Sequence, residues 1–491
     1  MADARPLSAL GLTAGGGRDA RVSGIAADSR QVRPGDLFAA LPGVRAHGAA
    51  HVGQAVACGA AAVLTDPEGA ALAGDDLGNA ALVVAQDPRQ ALAFAAALWF
   101  GAQPETVAAV TGTNGKTSVA TFTRQIWERM GLGAANIGTT GVEGGYSAPL
   151  RHTTPDPVTL HRLLAEMAEA GVTHAAMEAS SHGLAQRRLD GVRLRAAGFT
   201  NITRDHLDYH ASFDDYFMAK AGLFERVLPE DGTAVIDIDG DHGLRMAAVA
   251  RERGQDLLTV GATPGADLRV LGQRFDAEGQ DLRFEWRGAV GMARLPLIGG
   301  FQARNALLAA GLAIACGAEA EAVFRALPRL QTVRGRMQRV ASRGNGAAVY
   351  VDYAHTPDAV ATALKALKPH AMGRLVVVLG AGGDRDREKR PMMGEAAARE
   401  ADLVFVTDDN PRSEDPAAIR AAVMAGAPDA VEIADRAEAI LRAVDALGPG
   451  DALLVAGKGH ETGQEVAGVL HPFDDAEQAS IAVAVLDGGG A

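Results

Sequence analysis

The chain has 491 residues, a formal net charge of −13 at pH 7, 48% hydrophobic and only 4% aromatic residues, and two cysteines. Its length suggests about three domains, each able to bury a core. The negative charge argues against nucleic acid or an anionic membrane surface as partner, while leaving room for a local basic pocket for small anions.

Met1–Leu10 carries no basic head before an apolar core, and no run of about eighteen apolar residues lacks a charge, so neither a leader nor membrane insertion is expected. The expected location is cytoplasmic. Cys58 and Cys316 fall in Ala-rich helical stretches and read as small buried hydrophobes rather than as a disulfide or a metal site.

In the first hundred residues, Ala60–Leu64 and Ala81–Val84 read as strands and Pro88–Phe100 as a helix, followed by the linker Gly101–Glu105. Val107–Val110 then reads as a strand running into Thr111-Gly-Thr-Asn-Gly-Lys-Thr117. Val119, Phe122, Ile126 and Met130 recur at helical spacing, so the loop empties into a helix N-terminus, whose unpaired N–H groups and dipole favour phosphate. Gly112 and Gly115 let the backbone approach the anion, Lys116 adds a point charge, and Thr117 offers a hydroxyl to Mg²⁺. The general nucleotide loop would carry glycine where Val110 stands; this is a shorter variant, GTNGKT. An ordinary glycine turn would explain the bend but not the Lys-Thr pair.

Ala175–Met177, Ala196–Phe199 and Ala234–Ile236 continue as strands alternating with helical segments, the rhythm of a mostly parallel sheet. Glu178 closes one of them, where nucleotide-loop enzymes often place the carboxylate that holds Mg²⁺. Asp205 and His206, within Asn201–His210, also follow a strand. Their spacing matches no zinc pattern, so His206 is read as a Mg²⁺ and phosphate residue and His210 as structural. Antiparallel strands are expected across Ala266–Leu297, with turns at Gly279-Gln280 and Gly288-Ala289. A helix over Ala303–Cys316 and a polar connection at Leu330–Arg334 follow.

The last block has strands at Val349–Val351, Leu375–Leu379, Leu403–Val406 and Ala452–Val455. Each ends in a polar loop: Asp352–His355, Gly380–Asp384, Asp408–Arg412 and Gly457–Glu461. Ligands bind outside the carboxyl ends of strands in an open parallel sheet, so these four loops predict one binding face. Gly380-Ala-Gly-Gly383 lacks the dinucleotide spacing and reads as a tight turn. Arg385, Arg387, Lys389 and Arg390 form either a solvated face or a carboxylate site. Asp408, Asp409 and Arg412 offer both signs of charge, as an amino acid requires, although Asn410-Pro411 is also a plain turn signal.

Taken together, Asp28-Ser-Arg30, GTNGKT, Thr153-Thr-Pro155, Glu178-Ala-Ser-Ser-His-Gly183, Asn201–His210, Gly335-Arg-Met337, Asp352–Pro357, Gly382–Arg385 and Gly457–Glu461 resemble the Mur ligase family. These are ATP-dependent enzymes that build the peptide stem of the bacterial wall precursor. The resemblance spans nearly the whole chain. It implies an α/β protein of three domains: a small N-terminal α/β domain binding the UDP-sugar (1–101), a central nucleotide-loop ATPase domain with a mostly parallel sheet (102–332), and a C-terminal Rossmann-like domain binding the amino acid (333–491). Asp409-Asn-Pro-Arg412 resembles the motif of members that choose meso-diaminopimelate over lysine.

Carried over by position, the resemblance implies that Gly112, Thr113, Asn114, Gly115, Lys116, Thr117 and Ser118 cradle ATP phosphates, with Asn305, Arg336, Asp352 and His355 around the nucleotide. Thr117, Glu178, His206 and Lys220 are implied in the Mg²⁺ region, with two ions expected and Lys220 carbamylated. Lys116, Glu178, His206 and Lys220 are the implied catalytic set. Ala27, Ser29, Thr153, Thr154, Ser180, Gln186 and Arg188 match contacts to UDP-N-acetylmuramoyl-L-alanyl-D-glutamate. Arg390, Asp409, Asn410, Pro411, Arg412, Gly457 and Glu461 match contacts to diaminopimelate. Gln302 and His152 stand where family members usually have asparagine, so neither is placed in the site.

The expected partners are small molecules acting on a monomer. The rivals are folylpolyglutamate synthetase, which lacks an N-terminal domain of this kind, and a nucleotide-loop kinase or motor that makes no amide. An exposed acyl phosphate would hydrolyse, so closure about residues 330–334 is expected. Identical small-angle scattering profiles with and without nucleotide and substrates would count against that closure.

Overall fold

The structure, a computed structural model, describes residues 4–43, 46–203, 209–240 and 242–488. His206 and Asp205 lie outside the described residues. The chain forms two compact units, Met1–Thr259 with Gly311–Glu319, and Val260–Ala310 with Ala320–Ala491.

In the first unit, the short strands Arg5–Pro6 (β1) and Arg21–Val22 (β2) pair antiparallel. Gly24–Ala26 (β3), Asp36–Ala39 (β4), Ala62–Thr65 (β5) and Ala81–Val84 (β6) form a parallel sheet in that order. Its helices are Val52–Ala57 (α1), Pro67–Ala73 (α2) and Pro88–Phe100 (α3). The starts of α2 and α3 are written locally: Asp66 and Asp87 accept the backbone N–H of Gly69 and Gln90, and proline occupies the first helical turn. The same device opens the helix Pro157–Glu169 through Asp156, which accepts from Thr159 N.

The second sheet of this unit carries Thr106–Thr111 (β7), Ala134–Gly138 (β8), Gly141–Gly144 (β9), His174–Glu178 (β10), Leu194–Phe199 (β11), Thr233–Asp237 (β12) and Asp256–Gly261 (β13). Its helices are Lys116–Arg129 (α4), Pro157–Glu169 (α5), Ser181–Ala185 (α6), Phe213–Gly222 (α7) and Gly243–Glu252 (α8). β7 is paired parallel to β10 on one side and to β11 on the other. Five of its six residues are buried, as a strand covered on both faces requires. The three neighbours end at the same edge. Their carboxyl ends therefore deliver the phosphate loop, Glu178 and Thr200-Asn201 to one place.

In the second unit, Leu268–Asp276 (β14), Gly279–Trp286 (β15) and Ala289–Leu295 (β16) form an antiparallel meander. Gly279 begins β15 rather than the turn expected of it, because at φ +152° it is nearly extended and a side chain there would meet the carbonyl of Leu295. The expected helix over Ala303–Cys316 is Phe301–Ala315 (α9), followed by Ala320–Ala326 (α10). Gln338–Ser342 (β17), Ala348–Asp352 (β18), Leu375–Leu379 (β19), Leu403–Val406 (β20), Val431–Glu432 (β21) and Ala452–Ala456 (β22) form a sheet ordered β17-β18-β22-β19-β20-β21. All of its pairings are parallel except β17 with β18. Pro357–Leu367 (α11), Lys389–Glu400 (α12), Pro416–Met424 (α13), Arg436–Asp445 (α14) and Asp475–Gly488 (α15) accompany it, with a hairpin of Gly463–Val466 (β23) and Val469–Pro472 (β24). Thr356 and Asp415 cap α11 and α13 ahead of proline, as in the first unit.

Two expectations about cysteine need correction. Cys58 is exposed and Cys316 is only partly buried. Each sits immediately after its helix ends, and at Cys58 the chain turns outward through Gly59 at φ +96°. A helical face extrapolated through that turn does not exist. Burial still pushes the Cys316 thiol up to about 12.

Candidate active site

The phosphate loop is held from beneath and from the side. Gly112, at φ +149°, allows an approach that any side chain would block: a Cβ there would lie 1.9 Å from Thr200 Oγ1. Thr200 Oγ1 donates to Asn114 O at 2.5 Å, Asn201 O accepts from Thr113 N at 2.8 Å, and Asn201 Oδ1 accepts from Asn114 N at 3.0 Å. Gly115, at φ +87°, is the residue before α4, and Lys116, Thr117 and Ser118 form the first turn of that helix. The loop is thus braced by the strand end beside it, with the Thr113 and Asn114 N–H groups spent on Asn201, so an anion would be met by the N-terminus of α4.

Two lysines converge on one carbonyl. Lys116 Nζ donates to Gly112 O and Thr113 O, both at 2.9 Å, and Lys220 Nζ donates to the same Gly112 O at 2.7 Å. Lys220 is 1% exposed and lies 4.5 Å from the Tyr216 ring centroid. It reaches the loop from the last turn of α7, where the helix passes into a π-helical turn, Leu223–Val227.

Glu178, 1% exposed, joins the phosphate loop to the segment carrying Thr153-Thr154. Thr117 Oγ1 donates to its Oε2 at 3.1 Å, Thr139 N donates to its Oε1 at 2.7 Å, and Thr139 Oγ1 lies 3.3 Å from Oε2. Thr139 Oγ1 is also 3.0 Å from Thr153 Oγ1. Gly138 makes room for the carboxylate, since a Cβ there would lie 2.1 Å from Glu178 Oε1. Thr154 Oγ1 donates to Glu178 O at 2.9 Å and accepts from Ser180 N at 3.0 Å. Arg188 donates to Thr154 O at 2.6 Å and to Gln186 Oε1 at 2.8 Å. Six of the implied sugar-peptide and phosphate residues are therefore one connected network. Ser29 begins a short 3-10 turn, Ser29–Gln31, between β3 and β4, buried and donating to Gln54 Oε1 at 2.9 Å, and Ala27 just before it is exposed. Buried His210 meets His182 and Tyr209 edge-on and Tyr216 at a tilt.

In the second unit, Asn305 Nδ2 donates to Gln302 Oε1 at 2.9 Å, so the departure at Gln302 is used as a hydrogen-bond partner. Gly335-Arg336, Asp352–His355 and Gly457–Glu461 interlock. A Cβ on Gly335 would lie 2.2 Å from the backbone of Gly459 and His460. Arg336 lies over the Tyr353 ring at 4.7 Å, and Tyr353 meets His355 edge-on and His460 at a tilt. Met337 N donates to Asp352 Oδ2 at 2.7 Å. Burial raises the Asp352 carboxyl above its usual range against the pull of Arg336, and burial lowers His460 to about 4.

The remaining loops of this sheet hold charges of both signs. Arg390, 3% exposed, grips Glu414 with two nitrogens at 2.8 and 3.1 Å. Arg412, at φ +51°, donates to Gly383 O at 2.8 Å and lies 3.3 Å from Glu465 Oε2. Pro411, buried, brings its carbonyl so close to Gly383 that a Cβ there would lie 1.9 Å away. Asn410 Nδ2 donates to Glu461 Oε2 at 2.9 Å, and a Cβ on Gly457 would meet Asp409 Oδ2 at 2.6 Å. Six of the seven residues implied for the amino acid thus sit on two adjoining loops, and the seventh, Arg390, on the first turn of α12.

Sequence reasoning missed several participants. Neither Thr139 nor Glu414 carries a motif. Lys458 was passed over although it stands between two chosen residues, Gly457 and Glu461. Arg436 and Asp475, both at 0% side-chain exposure and paired at 2.7 Å, are 39 residues apart, which no local pattern reveals.

A braced phosphate loop backed by a buried carboxylate in one unit, and charges of both signs at the strand ends of a mostly parallel sheet in the other, fit the class of α/β enzymes that use a nucleotide triphosphate and an amino-acid-like substrate. Family models match along the chain: the Mur ligase family, catalytic domain, at residues 21–99; the Mur ligase middle domain at 110–313; and the Mur ligase, glutamate ligase domain, at 335–459. The UDP-N-acetylmuramoyl-L-alanyl-D-glutamate–2,6-diaminopimelate ligase of Bradyrhizobium diazoefficiens is 52% identical, covering 94% of this chain and 95% of its own. The ligase of the same name from Chelativorans sp. is 51% identical over 97% of each chain. A solved structure of a protein of that name superposes with a TM-score of 0.70 at 34% identity, covering 95% of both chains. The chain belongs to the Mur ligase family.

Proposed function

We propose that the chain is the ATP-dependent ligase that joins meso-diaminopimelate to the D-glutamyl γ-carboxylate of UDP-N-acetylmuramoyl-L-alanyl-D-glutamate, releasing ADP and phosphate, in peptidoglycan precursor synthesis. Its 52% identity to a ligase of that name carries the reading, and the two-signed pocket around Asn410 and Arg412 supports the choice of amino acid. The three sequence domains fit this division of labour, as does a monomer acting on small molecules in the cytoplasm.

A carboxylate resists an amine until one oxygen is made a leaving group. The γ-carboxylate attacks the γ-phosphorus of ATP, the bond to the β–γ bridging oxygen breaks, and ADP leaves an acyl phosphate. The amine of diaminopimelate then adds to the acyl carbon, gives up a proton, and phosphate departs from the tetrahedral intermediate. Lys116 and the first N–H groups of α4 offset the repulsion of the two anions that must meet. Lys220 shares the Gly112 carbonyl with Lys116; as a carbamate it would exchange a second cation there for a carboxylate.

The oxygen donors around Glu178, namely its carboxylate with the Thr117 and Thr139 hydroxyls, suit a hard cation, and they would hold Mg²⁺. When bound, Mg²⁺ supplies charge neutralisation at the phosphate oxygens.

The test is ADP formation by the purified chain with ATP, the UDP-linked dipeptide and either diaminopimelate or lysine. ADP release that requires the dipeptide and diaminopimelate together is expected. Release that needs neither acceptor returns the chain to a kinase or motor reading, and release with a folate acceptor to the folylpolyglutamate reading.

A further inference from the structure

Lys458 is 0% exposed and takes part in none of the steps above. Its ammonium group lies 2.9 Å from Asn410 Oδ1 and 2.8 Å from Gly463 O, with Asp409 Oδ1 at 3.5 Å and Glu461 Oε2 at 3.6 Å. An ammonium has three N–H bonds. Two go to neutral oxygens, and the third direction falls between two carboxylates of the amino-acid pocket.

Two consequences follow from this placement. Asn410 Oδ1 receives both Lys458 Nζ and Glu465 N, the latter at 2.9 Å, so that atom has to be the oxygen of the amide. Asn410 Nδ2 is thereby turned toward Glu461. Asp409 and Glu461 are moreover like charges on either side of one ammonium group, and protonation of Glu461 would relieve their repulsion. Burial and Asp409 already push the Glu461 carboxyl upward, opposed by Asn410, Lys458 and Arg412. The other charged or titratable groups facing the pair are Arg436 and Tyr353.

We propose that Lys458 is the positioning residue of the amino-acid pocket: it fixes the Asn410 amide and, as a cation locked between Asp409 and Glu461, lets both carboxylates face the ammonium group of the incoming amino acid. The inference rests on the diaminopimelate reading. Arginine can supply the same donors and charge, methionine supplies neither, and glutamine supplies N–H donors without charge.

The test compares the wild-type chain with Lys458→Met, Lys458→Gln and Lys458→Arg. For each, KM for diaminopimelate, KM for ATP and kcat are measured from pH 6 to 9.5, with circular dichroism as the check on folding. In Lys458→Met at pH 7, KM for diaminopimelate rises about tenfold or more while KM for ATP stays within about twofold, and the acidic limb of kcat/KM for diaminopimelate moves upward by about one pH unit. Lys458→Gln shows the same movement of the limb, and Lys458→Arg restores the wild-type profile. If Lys458→Met does not fold, the contrast between the glutamine and arginine variants decides. An unmoved acidic limb in folded Met or Gln variants, or equal losses for both substrates at every pH, overturns the proposal. A wild-type chain that makes no diaminopimelate-dependent ADP overturns the ligase reading instead.

Discussion

At the scale of single residues, position matters more than residue type. Glu178 is an ordinary glutamate made unusual by Gly138, whose missing side chain leaves space for it, and by three hydroxyl or amide donors. Arg412 holds a left-handed backbone conformation that strains a non-glycine residue. Its backbone is tied to the hairpin, with Arg412 N donating to Glu465 O at 3.0 Å and Ala467 N to Arg412 O at 2.7 Å, and its guanidinium bridges Gly383 O and Glu465. Arg412→Ala is expected to cost about 1.5–3 kcal/mol in diaminopimelate use, the worth of a lost charge-assisted pair. Steady-state kinetics check this: KM for diaminopimelate should rise steeply and KM for ATP hardly at all, and equal losses in both would refute the role. The residue types at this site were legible in the sequence. The pairing of Arg390 with Glu414 was not, because 24 residues and a turn of the chain separate them.

At the scale of elements, the sheets work by bringing strand ends together. β7, β10 and β11 are neighbours in space but are reached by crossovers, so the phosphate loop, Glu178 and Thr200 meet although nearly ninety residues separate the first from the last. In the second unit, Arg436 at the start of α14 donates to Ala456 O at 2.9 Å and lies 3.4 Å from Asp408 O. It thereby ties together the two loops that carry Gly457 and Asp409. Its charge is balanced by Asp475 at the start of α15. Asp475→Ala leaves that guanidinium buried and uncompensated, which is expected to cost about 3–5 kcal/mol of stability. Chemical denaturation should show the loss, and a variant within experimental error of the wild type would exclude the tie. The capped helix starts at Asp66, Asp87, Asp156, Thr356 and Asp415 were open to reading from sequence, since a cap followed by proline is a local signal. Which helix balances which buried charge is not local.

At the scale of the whole molecule, one buried and one half-buried histidine make stability depend on pH. Burial holds His161 at about 4, with Nε2 paired to Asp190 O at 3.0 Å, and His460 at about 4 in the other unit. Unfolded histidine titrates near about 6.5. The unfolded chain therefore binds more protons between those values, and stability, fully present above about 6.5, falls as pH drops toward about 4. The thermal midpoint should decline below about pH 6.5, and His161→Gln, which keeps a donor for Asp190 O, should flatten that decline. An equally steep decline in the variant would place the effect elsewhere.

By itself the sequence determined the alternation of strands and helices, the phosphate loop, the polar loops after each C-terminal strand and the family resemblance, because each is encoded in neighbouring residues or in fixed spacing. Only the tertiary structure decided that Thr139 joins Glu178 to Thr153, that Lys220 reaches the Gly112 carbonyl, that Cys58 faces solvent, and that Lys458 stands between Asp409 and Glu461. Apart from Lys458 with Glu461, three residues away, these are contacts across 14 to 108 residues, or the exit of a chain from a helix. They depend on which strands lie side by side and where each helix stops, and no local periodicity carries that information.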